Sequence, residues 1–151
     1  MNIMIALDGV MRSETGQPIP EGIVLYRAFS EHRVLLATDD TREKAEYWLK
    51  VEGLHTHTML VTSDVAGRDA DIRAGQLRYV AGLGSRIQLL IDPSPSRCAD
   101  AMRAGITSLL FAAPKYQRPE WRPDAAHGMR PWGEISKELE EQALQAGQDV
   151  R

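Results

Sequence analysis

The sequence predicts an α/β domain, a five-stranded parallel sheet between two layers of helices, and three observations carry that prediction. Five short apolar runs are continuous, not alternating, so each strand has both faces covered. Helix-patterned stretches lie between them, so strand, helix, strand recurs along the chain as in a doubly wound fold. Four of the five runs end at a polar residue, which is where such a sheet presents its functional side chains.

The strands are expected at Ile3 to Leu7, Val34 to Ala37, Met59 to Val61, Ile87 to Ile91 and Ser108 to Phe111. The first four end at Asp8, Thr38, Thr62 and Asp92, and the fifth runs into Ala112-Ala113-Pro114. Thr41 to Glu52 has a cap in Asp40 or Thr41, the buried-face spacing Ala45, Trp48, Leu49, and a stop at Gly53. Asp71 to Ala81 sets Ile72, Leu77 and Val80 near one face, with Gly82 beyond. Ser96 to Ala104 is short and ends at Gly105. From Pro114 to Pro131 stand four of the eight prolines, which oppose helix and central strand, so an extended arm is expected. A last helix, Trp132 to Ala146, is expected to end at Gly147. The reading divides the chain into a core, 1–113, and a C-terminal arm and helix, 114–151.

Composition narrows the function classes. The chain of 151 residues is 43% hydrophobic and 26% charged, the balance of an ordinary globular domain able to bury a core. A net charge of −3 supplies no chain-wide attraction to nucleic acid or anionic lipid. The single cysteine, Cys98, supports neither a disulfide framework nor a cysteine metal cluster and reads as a small buried residue. The N-terminus has no basic segment and too short an apolar run for a signal peptide or membrane span, so a cytosolic protein, or one that joins an assembly made in the cytosol, is expected.

Ligands in open parallel sheets bind beyond the carboxyl ends of the strands. Asp8, Thr38, Thr62 and Asp92 are therefore the candidate site residues, although Asp and Thr also end strands as turn formers and carry function only as a set. The run Ile3-Met-Ile-Ala-Leu-Asp-Gly-Val10 resembles the first motif of the haloacid dehalogenase (HAD) superfamily, an apolar strand followed by Asp-x-Asp-Gly-Thr. Val34-Leu-Leu-Ala-Thr38 resembles the second motif, and Leu89 to Ile106, with Asp92-Pro93 and the Ala104-Gly-Ile step, the fourth. The likeness covers roughly residues 1 to 114 and extends, through the proline-aromatic tail, to small HAD-like proteins of actinobacterial phages.

The resemblance implies a three-layer Rossmann-like core and a phosphoryl-transfer site. In the family a first-motif Asp attacks phosphorus, a second Asp is the acid and base, Thr binds the phosphoryl oxygens, a Lys offsets charge, and acids complete a Mg²⁺ site. Carried over, the nucleophile position is Ala6, the acid/base position Asp8, and the phosphoryl-binding position Thr38. The lysine has no counterpart; Arg73 is the first candidate and Arg68 the second. Asp92 remains of the fourth motif, followed by Pro93 and Ser96 where a further acid is usual. Asp8 and Asp92 are then the residues a Mg²⁺ would use, a poor site because hard cations need several charged oxygen ligands. Loss of a covalent nucleophile costs on the order of 10⁶ in turnover. The expectation is a capless, non-catalytic HAD-like module without cofactor, in host cytoplasm or as a phage virion or tail component; the alternative is a weak Mg²⁺-dependent phosphohydrolase.

Other features read more plainly. His55 and His57 alternate but lack the third and fourth ligands of a zinc site. Gly82-Leu-Gly84 is a helix-to-strand turn, since a dinucleotide fingerprint follows a strand and opens a helix. In the arm, Tyr116, Trp121, Arg122 and Trp132 are the candidate binding residues. Trp, Tyr and Arg favour protein interfaces, so a protein partner or self-association is expected over nucleic acid, which Glu120 and Asp124 discourage.

Overall fold

The computed structural model describes residues 1–113 and the helix 132–149. Five strands form: β1 (Asn2–Ala6), β2 (Arg33–Ala37), β3 (Met59–Val61), β4 (Leu89–Asp92) and β5 (Thr107–Leu110). The helices are α1 (Pro20–Ala28), α2 (Arg42–Val51), α3 (Ile72–Gly82), α4 (Pro95–Arg103) and α5 (Trp132–Asp149), with a short 3₁₀ turn at Ser63–Ala66. The sheet order is β3-β2-β1-β4-β5 and every pair is parallel. The α/β class, the parallel sheet and the three-layer Rossmann-like build expected from sequence are therefore what the chain adopts. Strand ends differ from the expected ones by no more than two residues, as hydrogen-bonded boundaries commonly do.

The layers explain the continuous apolar runs. Ile3 and Ile5 of β1 and Leu36 of β2 pack with Tyr26 of α1 and Ala45, Trp48 and Leu49 of α2. Met4, Leu35 and Leu90 point the other way, against Val80 of α3 and Ala101 of α4. Successive side chains on a strand face opposite sides, so a strand covered on both sides has no polar position to alternate with. Helix α5 lies against α4.

Two expectations are corrected. Helix α1 was not foreseen: Ile19 precedes it without a side-chain cap, and Gly22, Ile23 and Val24 weaken its propensity. Pro20 in its first turn starts it, and packing holds it, because Gly22 lies where an added Cβ would come 1.6 Å from the Val10 carbonyl oxygen. Gly147 does not end the last helix, which continues to Asp149. A glycine inside a helix costs about 1 kcal/mol and stops it only where the backbone turns left-handed.

The segment between β1 and α1 positions the site. The Leu7 carbonyl accepts the N–H groups of both Met11 and Arg12, each at 3.0 Å, which closes a tight turn directly after the strand. A hairpin follows, with Ser13 N–H on Gln17 O at 2.8 Å and Ile19 N–H on Met11 O at 2.8 Å. Gly9 allows the turn: its φ is +86°, and a Cβ there would lie 2.6 Å from Pro93 Cγ, in the loop after β4. The ends of β1 and β4 are thus brought together through a position that tolerates only hydrogen.

Candidate functional site

In this topology the chain moves outward from β1 through β2 to β3, then returns to place β4 beside β1. The connections diverge at that point and leave a crevice at the carboxyl edge, the general ligand site of open α/β sheets. Asp8, Thr38 and Asp92 arrive there from β1, β2 and β4. Thr62 does not join them: its hydroxyl donates to Asp64 and its carbonyl accepts from Gln76 Nε2 at 3.0 Å.

Asp8 is held on both oxygens. Its Oδ1 takes Arg12 Nε at 2.7 Å, and its Oδ2 takes the Thr38 hydroxyl at 2.7 Å and the Asp39 N–H at 3.1 Å. Burial pushes this carboxyl up. The Arg12 charge and the hydrogen bonds from Thr38, Arg12 and the Asp39 amide outweigh it, so the group lies below its ordinary range. Arg12 extends further, with Nη2 3.4 Å from Thr38 Oγ1 and 3.3 Å from Asp40 Oδ2. Its guanidinium lies 5.9 Å from the centre of the Trp48 ring, and the Trp48 indole N–H donates to Gly16 O at 2.8 Å. An open hollow of about 600 Å³ adjoins this cluster, lined in part by Ser13, Gly16, Lys44 and Tyr47.

Asp92 and Arg73 form a second, fully enclosed pair. They are 0% and 1% exposed, with Arg73 Nε 2.8 Å from Asp92 Oδ2. Asp92 Oδ1 accepts the Ser94 N–H at 2.9 Å, and Arg73 Nη1 donates to Gln76 Oε1. Gln76 returns that bond to the strands, its Nε2 reaching Thr38 O at 2.8 Å and Val61 O at 3.3 Å. Every polar atom of this buried group is thereby satisfied, the condition for a charge inside a protein to be tolerated. Asp39 joins the two halves. It lies 3.5 Å from Arg73 Nη2 and accepts both terminal nitrogens of Arg97, at 3.3 and 3.1 Å. Arg97 also donates from Nε to Asp71 Oδ1 at 3.0 Å.

Ala6 is the last residue of β1, fully buried and level with Ala37 on β2. Extending the β1–β4 register past Ile5 and Ile91 brings it level with Asp92. The expected site residues Ala6, Asp8, Thr38, Arg73 and Asp92 thus share one edge of the sheet, whereas Arg68 is exposed outside the cluster. Of the arm residues, Tyr116, Trp121 and Arg122 lie outside the described residues, and Trp132 is placed only as the first residue of α5.

Arg12, Asp39, Asp40, Gln76 and Arg97 were missed from sequence. Asp39 and Asp40 directly follow the β2 strand end, and Arg12 stands four residues after Asp8, so adjacency to strand ends was the available signal. Nothing local marked Gln76 or Arg97, which reach the crevice only because α3 and α4 pack beside it. His57 is likewise engaged in structure: its Nδ1 lies 2.9 Å from the Tyr26 hydroxyl, which also accepts the N–H groups of Thr56 and His57. Cys98 is buried, and burial, then the charge of Asp92, pushes its thiol up to about 12.

A Mg²⁺ ion asks for about six oxygens at roughly 2.1 Å in an octahedron. Asp8 and Asp92 each face a guanidinium and have both oxygens engaged. Among the described residues no group of three or more His, Cys, Asp or Glu side chains is disposed to hold a metal. An ion would have to strip Asp92 from the buried Arg73, and breaking such a pair from one side costs about 3–5 kcal/mol. These residues do not fit a Mg²⁺ centre.

No family model and no curated protein matches the chain. Among solved structures it is similar to an uncharacterised protein from Corynebacterium glutamicum, with a TM-score of 0.53 and 14% identity over 74% of this chain and 85% of that one. At that identity the likeness shows the fold alone: the chain is a Rossmann-like α/β protein.

Proposed function

We propose that the chain is a non-catalytic, HAD-like domain that serves as a binding or structural module. Ala6 carries this reading. At the end of the central strand, level with Asp92 and beside Thr38 and Asp8, a phosphatase of this type would place the carboxylate that attacks phosphorus. A methyl group has no lone pair to offer, and Asp8 cannot take over, since the residue two beyond it is the buried Val10. The tight turn and hairpin between β1 and α1, the Thr at the end of β2, and the charge pair between α3 and β4 support the HAD ancestry. The resemblance of the proline-aromatic tail to phage proteins supports a virion or tail setting, with Tyr116, Trp121, Arg122 and Trp132 gripping a protein neighbour or a second copy.

Hydrolysis of p-nitrophenyl phosphate and of nucleotides, measured with and without Mg²⁺, tests the proposal. The unmodified chain is expected to give no turnover above that of the Asp8→Asn variant. Phosphate release by the unmodified chain that Asp8→Asn abolishes would make it a phosphohydrolase and end the non-catalytic reading.

A further inference from the structure

The carboxylates at the crevice are arranged around cations that belong to the chain itself. Arg12 reaches Asp8 through Nε at 2.7 Å, and Thr38 and Asp40 through Nη2 at 3.4 and 3.3 Å, with its plane near the Trp48 ring. It is held there from both sides, by its own N–H on the Leu7 carbonyl and by isolated bridges to Asp8 and Pro18. Arg73 does the same deeper in, between Asp92 and Asp39. We infer that Arg12 and Arg73 are the resident cations of this crevice, holding the carboxylates that a divalent ion would otherwise draw on, so that the site is metal-independent.

The chemistry favours arginine for this task. A guanidinium stays charged over the whole working pH range, and its planar fork satisfies two acceptors at once. Unlike an exchangeable ion, it is delivered by the backbone and cannot be chelated away. Arg12 is itself buried, at 7% exposure, and Arg73 more deeply, at 1%. Removing the Arg12 charge leaves Asp8 and Asp40 without their arginine at a hollow that Asp39, held by Arg73 and Arg97, also lines. That is the state in which a divalent cation would enter.

The inference rests on the pairing geometry and not on the loss of catalysis, so the two fail separately. The experiment compares the full chain with Arg12→Gln and Arg12→Lys. Thermal unfolding is followed in EDTA, in Mg²⁺ or Mn²⁺, and in sodium chloride of matched ionic strength. Terbium emission sensitised through tryptophan gives a direct binding signal. The unmodified chain is expected to unfold at the same temperature in all three solutions and to give no site-specific terbium emission. Arg12→Gln is expected to be stabilised by Mn²⁺ beyond the salt control and to bind terbium at least about tenfold more tightly, since a repelling charge a few ångströms away has gone. Arg12→Lys keeps the charge and should stay insensitive. Metal-specific stabilisation of the unmodified chain overturns the inference, as does an Arg12→Gln chain that ignores divalent ions, or an Arg12→Lys chain that responds as Arg12→Gln does. Should Arg12→Gln not fold, the unmodified chain and Arg12→Lys still decide. Metal binding by the unmodified chain without turnover would end this inference and leave the non-catalytic reading standing.

Discussion

At the residue scale Asp8 and His57 are both held below their ordinary ranges, and both make the chain acid-sensitive. Asp8 titrates below 3.8 because the Arg12 charge and three hydrogen bonds overcome the upward push of burial. His57 titrates below 6.5, first because burial disfavours its charge and then because His55 is near. In each case the folded state binds fewer protons than the unfolded chain, so the stabilisation is complete above the unfolded value and is lost as pH falls through the folded one. For His57 the structural counterpart is the Tyr26 hydroxyl, 2.9 Å from Nδ1. With two N–H groups already donating to its oxygen, its own proton is left for a neutral Nδ1, and a protonated ring offers no acceptor there. Urea unfolding as a function of pH should therefore show two losses of stability, one starting near pH 6.5 and one near pH 3.8. His57→Gln should flatten the upper slope alone and Asp8→Asn the lower alone; a slope unchanged by its own substitution would contradict the assignment.

At the element scale the helices sit where glycines let them approach. Gly22 of α1 meets the Val10 carbonyl, and Gly75 of α3 lies where a Cβ would be 2.2 Å from the Ala66 carbonyl oxygen. Backbone atoms cannot swing aside as a flexible side chain can, so Gly22→Ala and Gly75→Ala should each destabilise by about 1–3 kcal/mol or more. Gly82, at the end of α3, has open space around it and no left-handed backbone. Gly82→Ala should stabilise by about 0.4–1 kcal/mol through the unfolded chain. Chemical denaturation of the three variants checks the contrast, and equal effects at the three positions would refute the close-packing argument. Element α1 also explains why the helix pattern was harder to read than the strands. Its half-buried Ile23 and exposed Val24 blur the apolar stripe, whereas α2 carries Ala45, Trp48 and Leu49 at clean helical spacing.

At the scale of the whole molecule, both apolar clusters are built from residues that precede Ala113. Among the described residues neither cluster includes a side chain of α5, which lies against α4. A chain ending at Ala113 should therefore keep an α/β circular dichroism spectrum and a cooperative unfolding transition, at lower stability for want of the helix on α4. Aggregation of that truncated chain, or a non-cooperative melt, would mean that the C-terminal region completes the core. The same frame accounts for the arginine network: Arg12, Arg73 and Arg97 come from a loop and two helices, and only the switch in strand order sets them against one row of aspartates.

Taken alone, the sequence determined the strands, because burial on both faces writes itself as an unbroken apolar run, and it determined which polar residues end those strands. Asp8, Thr38 and Asp92 were legible that way; Ala6 and Arg73 were singled out only through the family resemblance, and the structure places both at the same edge of the sheet. Tertiary structure decided which cation faces which carboxylate. Pairs such as Arg73 with Asp92 and Arg97 with Asp39 are 19 and 58 residues apart, and no local preference encodes a contact across that distance. Helix α1 was decided at the same level, since only the Val10 carbonyl beneath Gly22 explains a glycine in its first turn.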